Sequence, residues 1–389
     1  MRTRTLAGIA VVALVGAAVP ALAGGDPYTP GTSGTSGTPG VDIQPRCGVE
    51  GTGSPATLAG STVKVGTYNV LHSQSENPDS NVDARLDQVV AAMATADADV
   101  WGLQEVTSNT QYGNVAQRIA AGLSAANDGE RWEWCWSMSN PHFPGEPDVN
   151  EGGGGPLSEL MAMFSNFPAS GDFREGVAIV TRLDIEAARA RRLTPRSYET
   201  PFCVPPDPLG CNLPALFDSR QLLWARVDAG SGAFDMSTTH LAHGLTPLSD
   251  TTKRVQVEVA LRYLEEWATP GDATFFVGDF NSDAATDRYQ AVLDAGFADL
   301  YLAAPGAPEC NPVTHAGCTS SQREITDGQF DNTTSSRIDH VFGRSGACTL
   351  GASASAILGT NSRQISSVPE RWLWPSDHLG VVTTVGCST

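Results

Sequence analysis

The sequence has no Cys-x-x-Cys pair, so the spacing that builds a thiolate zinc site is missing. Positive charge is scarce as well: 24 Lys and Arg stand against 43 Asp and Glu, for a formal net charge of −19. A surface this acidic does not by itself attract nucleic acid or anionic lipid. It does not exclude a phosphate substrate, because a bound cation reverses the field locally. Beyond the N-terminus no run is long and apolar enough to cross a bilayer.

The N-terminus itself reads as an export signal. Arg2 and Arg4 precede a small-apolar run from Leu6 to Val19, and Ala21-Leu22-Ala23 has the small-x-small pattern of a cleavage site. Residues 1–23 are therefore expected to be a signal peptide and the protein to be secreted. Residues 24–60 are expected to form a flexible linker rich in Gly, Thr, Ser and Pro. Residues 61–389 are globular in composition, without repeats or a second linker, and are read as one catalytic domain. An even number of cysteines, eight, favours disulfides in an exported chain. Cys203 and Cys211, like Cys310 and Cys318, flank a short loop containing Pro or Gly and are expected to pair locally. Cys348 would then pair with Cys387, and Cys47 with Cys135.

Runs with a strand period recur at Thr62–Val70, Asp99–Leu103, Gly176–Thr181, Gln221–Val227, Phe234–Thr239, Thr274–Val277, Asp339–Phe342 and Leu379–Val385. Helical periodicity is found in Asp83–Met93 and Asp250–Trp267. Mixed strands and helices of this kind point to an α+β fold in which two sheets pack together with helices outside. The alternating Trp132, Trp134 and Trp136 fit one face of a strand and are expected to pack there.

Several of these strands run into polar groups instead of turn residues: Asn69, Gln104-Glu105, His240 and Asp279-Phe280-Asn281. Strand ends gathered at one sheet edge make a rigid rim for a site. Asp, Glu and Asn are hard oxygen donors, which favour Mg2+, Mn2+ or Ca2+ over zinc. Such an ion neutralises a phosphate during in-line displacement, and histidines beside carboxylates supply proton transfer near neutral pH.

Six segments carry a resemblance: Thr67-Tyr68-Asn69-Val70-Leu71, Leu103-Gln104-Glu105, Thr239-His240-Leu241, Gly278-Asp279-Phe280-Asn281, Arg337-Ile338-Asp339 and Ser376-Asp377-His378. In this order they resemble the motifs of the endonuclease/exonuclease/phosphatase superfamily, over about residues 62 to 386. The resemblance implies a four-layer α/β/β/α sandwich of two mixed sheets flanked by helices. It implies Glu105 as the main metal ligand with Asn69 and Asp377, the metal being Mg2+ or else Mn2+ or Ca2+. Asp279 and Asn281 would orient the attacking water and the phosphate. His378 would pair with Asp339, and His240 would face it across the scissile phosphate.

Two positions are similar to the deoxyribonuclease branch: Glu175, expected to orient His240, and Arg220, a candidate phosphate clamp. Trp374 is a candidate to line the cleft and His72 a candidate substrate contact. His340 should point away from Asp339. The expected function is thus a secreted, metal-dependent phosphodiesterase acting on nucleic acid, working as a monomer without a stable protein partner. A sphingomyelinase-type phospholipid phosphodiesterase, a phosphatase of inositol phosphates or other monoesters, and an inactive binding module are the alternatives.

Overall fold

Apolar residues recurring at every second position make strands with one face for each neighbouring layer. The computed structural model describes residues 43–58, 60, 62–72, 81–109, 111–140, 174–193, 220–243 and 247–388. In chain order they form β1 (Arg46–Glu50), β2 (Thr62–Asn69), α1 (Val82–Ala96), β3 (Val100–Asn109), β4 (Gly113–Asn114), α2 (Val115–Ala126), β5 (Trp132–Asn140), β6 (Arg174–Thr181), β7 (Asp184–Arg192), β8 (Gln221–Asp228) and β9 (Ala233–His240). There follow α3 (Pro247–Trp267), β10 (Ala273–Asp279), α4 (Asp287–Asp294), β11 (Ala298–Asp299), α5 (Leu300–Ala303), β12 (Ile325–Thr326), β13 (Asp339–Arg344), β14 (Thr349–Leu358), β15 (Arg363–Ser367), β16 (Glu370–Leu373) and β17 (Gly380–Ser388).

Two large mixed sheets result. The first has the order β1-β5-β6-β3-β2-β17-β14, with β4 beside β3. The second has the order β11-β13-β10-β9-β8-β7. The pairs β2–β3 and β9–β10 are parallel, and the other pairings are antiparallel. A small third sheet joins β12, β16 and β15.

The period of two decides the layers. Val63 and Val65 of β2 lie in a core with Val100, Ile179, Leu223, Met236, Phe275 and Val277, which come from both sheets. Tyr68 and Val70 fall on the opposite face, in the core that α1 and α2 share with the first sheet. On the outside of the second sheet, Leu264, Trp267 and Val292 of α3 and α4 pack with Trp224, Phe276 and Phe342. Each such apolar side chain contributes roughly 1.5–3 kcal/mol by leaving water. The result is the expected α+β, four-layer α/β/β/α sandwich.

Capping sets the helix limits. Asn81 accepts a hydrogen bond from Ala84 N at 3.0 Å at the start of α1, and Asn114 does the same for Gln117 N at 3.2 Å at the start of α2. α1 ends at Asp97, whose backbone is left-handed with φ 50°.

Compositional reading places residues 24–60 in a linker, and the structure corrects its second half. β1 pairs with β5 in a register that sets Cys47 opposite Cys135, and these two form a disulfide. Ala56 and Leu58 bond to Arg182 and Ala229 of the body. Cys310–Cys318 and Cys348–Cys387 are also paired as expected. Cys203 and Cys211 lie outside the described residues. Trp132, Trp134 and Trp136 are all buried in the core under α1 and α2.

Close approach of the two sheets depends on Gly102 of β3. A Cβ there would overlap Val277 Cγ2 and lie 2.7 Å from Thr238 Oγ1, both on the opposite sheet. Overpacking of this kind costs about 1–3 kcal/mol. Gly102→Ala is therefore expected to lower the urea midpoint of unfolding by a corresponding amount; an unchanged midpoint would contradict this packing.

Candidate active site

Strand register gathers the polar residues. In the parallel pair β9–β10, His240 lies opposite Asp279, and in the antiparallel pair β10–β13, Asp279 lies opposite Asp339. The last residues of two strands and the first of a third thus form one row, and neighbours in a row project to the same face. Asn281 continues past the row in a left-handed turn with φ 46°. Its backbone N–H donates to Asp279 Oδ1 at 2.8 Å, and its side-chain amide lies 3.1 Å from His240 Nε2 and donates to Leu241 O at 3.0 Å.

The first sheet supplies the facing side. Asn69 ends β2, and its Nδ2 donates both to Glu105 Oε1 at 3.0 Å and to Asp279 Oδ2 at 3.1 Å, tying the sheets together. Glu105 is not at a strand end as expected. β3 runs on to Asn109, and its register with β6 shifts between Leu103 and Val106. Glu105 sits on that bulge with φ 57°, and bulges re-aim a side chain in this way. The other carboxylate oxygen, Oε2, accepts from His72 N at 3.1 Å. Beneath the site, Gln104 Nε2 donates to Thr67 Oγ1 at 3.1 Å and to Thr238 Oγ1 at 2.9 Å, a buried link between the sheets.

Segment 376–378 closes the constellation. Ser376 Oγ donates to Asn69 O at 2.7 Å, and Leu379 N to Thr319 O at 2.6 Å. His378 Nδ1 lies 2.9 Å from Asp339 Oδ2, and its Nε2 lies 3.7 Å from Asp279 Oδ2. His240 Nε2 lies 3.4 Å from that same Asp279 oxygen. Two imidazoles therefore flank one carboxylate oxygen.

Their electrostatics differ in sign. Burial and the Arg220 guanidinium, whose Nη1 is 3.0 Å from Nδ1, hold His240 well below the ordinary imidazole value. Burial also opposes charge on His378, but Asp339 and Asp279 outweigh it and hold the ring well above that value. Asp279 is pushed up to about 7 by burial and by Asp339, despite His378 nearby. Burial works against ionisation of Glu105, yet His72 and His240 and the Asn69 bond draw it down to about 2. A neutral His240 gives up its share of that effect, leaving His72, the Asn69 bond and His378. Asp377 is raised by burial, and the charge of Glu105 adds to the rise despite His378.

Most expected site residues thus meet, with some corrections. Trp374 does not line a cleft: it is 1% exposed, and its Nε1 donates to Thr326 Oγ1 at 2.9 Å, which pins the preceding loop. Arg220 Nη1 lies 3.0 Å from the His240 ring, and Glu175 Oε1 approaches the same Nη1 at 3.7 Å. His72 meets the site through its backbone N–H. His340 points away from Asp339 as expected, to Ser282 O at 2.8 Å and Arg337 Nη1 at 2.9 Å.

Reasoning from sequence missed Arg85, which is fully buried and donates through Nη2 to His72 O at 2.9 Å. A signal was present: Val82, Arg85, Leu86, Val89 and Met93 form the buried stripe of α1, so an arginine stands in an apolar face. A cavity of about 720 Å3 between α1 and β14 contains none of these site residues in its lining.

The Endonuclease/Exonuclease/phosphatase family profile matches residues 66–378, spanning the first and last of the converging segments. The chain belongs to the endonuclease/exonuclease/phosphatase family. It is accordingly a hydrolase of phosphate esters.

Similar solved structures share the fold. A family protein from Leptotrichia buccalis is 18% identical with a TM-score of 0.52, covering 83% of this chain and 99% of the other. One from Bacteroides thetaiotaomicron is 16% identical with a TM-score of 0.55, covering 84% and 95%. A mannosyl-6-phosphatase from Bacteroides thetaiotaomicron is 16% identical with a TM-score of 0.53, covering 84% and 100%. No curated protein matches the chain.

The donor set suits the divalent cation that the family implies. Ligand atoms of Asp279, Asp339 and His378 all lie within 4.8 Å of one another. Asp339 Oδ1 is buried and has no hydrogen-bond partner among the described residues. The crowded, buried oxygens of Asp279 and Asp339 suit a hard ion nearby, whereas His378, bonded to Asp339 and favoured as imidazolium, is not a ligand for it.

The raised Asp279 gives a stability prediction. The carboxyl keeps its proton up to about pH 7 in the fold, against an ordinary value of 3.8 unfolded. Its contribution is complete below about pH 4 and is lost as pH rises through 7. In chelator, Asp279→Asn is expected to raise the Tm above wild type at pH 8, with the gain vanishing towards pH 4. A Tm at pH 8 equal to or below wild type would contradict the assignment.

Proposed function

We propose that this protein is an exported, divalent-metal-dependent phosphodiesterase acting on nucleic acid as a monomer. The observation that carries the reading is the pair of imidazoles on one oxygen, with Nε2 of His240 at 3.4 Å and Nε2 of His378 at 3.7 Å from Asp279 Oδ2. Burial and Arg220 favour the neutral form of the first ring, and Asp339 and Asp279 favour the protonated form of the second. A displacement at phosphorus needs both a proton acceptor for the nucleophile and a proton donor for the leaving oxygen. His240 is suited to accept and His378 to donate.

Asp339 fixes the ring of His378 and stabilises its charge through the bond to Nδ1. Asn281 and Asp279 orient water and phosphate from the turn after β10. Glu105, Asn69 and Asp377 would hold the cation, for which Mg2+ is the first choice and Mn2+ or Ca2+ the others. Bound there, it would neutralise phosphate charge as the bond to the leaving group breaks.

Charge balance favours a diester over a monoester. The two guanidiniums at the site both face carboxylates: Arg220 approaches Glu175, and Arg85 Nε lies 3.2 Å from Glu324 Oε1. A singly charged diester therefore suits this surround better than a doubly charged monoester. Arg220 remains the candidate phosphate contact. The mannosyl-6-phosphatase shares only the fold at 16% identity, so its substrate does not transfer here. Trp374 is buried and offers no face to a lipid headgroup.

Export is supported by the N-terminal pattern and by three disulfides, and no helix among the described residues is long and apolar enough to cross a membrane.

Chelator-stripped protein with Mg2+ or Mn2+ restored is expected to cleave plasmid DNA, single-stranded DNA or RNA. His378→Ala is expected to slow cleavage by about 100- to 10,000-fold while remaining folded. Turnover of phosphomonoesters or sphingomyelin with no attack on any nucleic acid would refute the substrate assignment. Full activity in His378→Ala would refute the mechanism.

A further inference from the structure

Arg85 is a guanidinium with no solvent exposure on the buried stripe of α1. Removing such a charge from water costs several kcal/mol unless its hydrogen bonds are well placed. Two of its bonds connect separate segments. Nε meets Glu324 Oε1 at 3.2 Å, and Nη2 donates to His72 O at 2.9 Å. Glu324 is itself anchored, because its backbone carbonyl accepts from Trp374 N at 2.9 Å, two residues before Ser376.

His72 is held at its other end by the site. Its N–H donates to Glu105 Oε2 at 3.1 Å. The preceding residue, Leu71, takes a left-handed conformation with φ 54°, and its N–H donates to Asn69 Oδ1 at 3.1 Å. A left-handed leucine is strained and persists only where its neighbours over-determine it. The carbonyl bond from Arg85 supplies that constraint on the far side of His72. It thereby fixes the N–H that takes one oxygen of Glu105, while Asn69 takes the other.

We propose that Arg85 is a positioning residue that aims the carboxylate of Glu105 at the cation through the His72 backbone. This rests on the reading of Glu105 as a metal ligand. A fixed positive charge alone would repel a divalent ion, so charge and positioning act with opposite sign and separate experimentally. Groups that orient a ligand from behind typically control about 10–100-fold in metal affinity.

The test is Mn2+ titration of chelator-stripped protein by calorimetry, for wild type, Arg85→Lys and Arg85→Met. Circular dichroism and Tm establish that each variant is folded, and hydrogen exchange reports on the Leu71–His72 amides. Both variants are expected to bind Mn2+ about 10-fold or more weakly and to lose protection at His72. Lysine does not rescue, because an ammonium group cannot reach Glu324 and the His72 carbonyl together. Tighter binding in Arg85→Met with unchanged binding in Arg85→Lys would show a purely electrostatic role and overturn the proposal. Unchanged affinity in both folded variants would also overturn it, leaving the metal reading intact. No Mn2+ binding by wild type would remove the metal reading and this inference with it. If neither Arg85 variant folds, Glu324→Gln carries the test, since it keeps the guanidinium but releases one anchor. Several-fold weaker Mn2+ binding is then expected, and unchanged affinity overturns the proposal.

Discussion

Carboxylates crowd the site, Asp279 and Asp339 buried and Glu105 and Asp377 half-buried, and like charges so placed cannot all ionise without compensation. The surrounding structure can be understood as the management of that repulsion. Asn69 places one amide between Glu105 and Asp279. His378 takes charge from Asp339. Asp279, left between Asp339 and two imidazoles, keeps its proton far above the usual carboxylate range. Each of these arrangements is one that a hard cation would relax. Instability of the site and affinity for metal would then share one physical origin.

The sandwich makes that crowding possible. Side chains from two sheets meet head-on only where the sheets lie close, and Gly102 permits the approach directly beside Gln104 and Glu105. Register does the rest on the second sheet, setting His240, Asp279 and Asp339 side by side. The first sheet contributes by irregularity instead, through the bulge at Glu105 and the left-handed turn at Leu71. Rigid rows on one side and bent backbone on the other give donors that converge from both directions.

Much of this could be read from the chain. Strand period and polar strand ends located Asn69, His240 and Asp279, and the alternating tryptophans of β5 identified a buried face before any fold was known. What escaped has definite causes. Glu105 lies within β3, because a bulge has no distinct hydrophobic period. β1 was hidden in a segment rich in Gly and Thr, since its place is decided by pairing with β5 and by Cys47. Trp374 was assigned to the cleft because nearness in sequence to His378 says nothing about facing direction, and the indole turns inward to Thr326. Arg85 was overlooked because a charged residue in an apolar stripe looks like noise until its partners, from segments far apart in the chain, are seen together.

The account therefore stands on one location for one ion. Crystals soaked in Mn2+ and measured near the manganese absorption edge would show it by anomalous scattering. A peak is expected among the oxygens of Glu105, Asn69 and Asp377, close to the Asp279 carboxylate. No peak at saturating Mn2+, or a peak remote from Glu105, would contradict the account at its base.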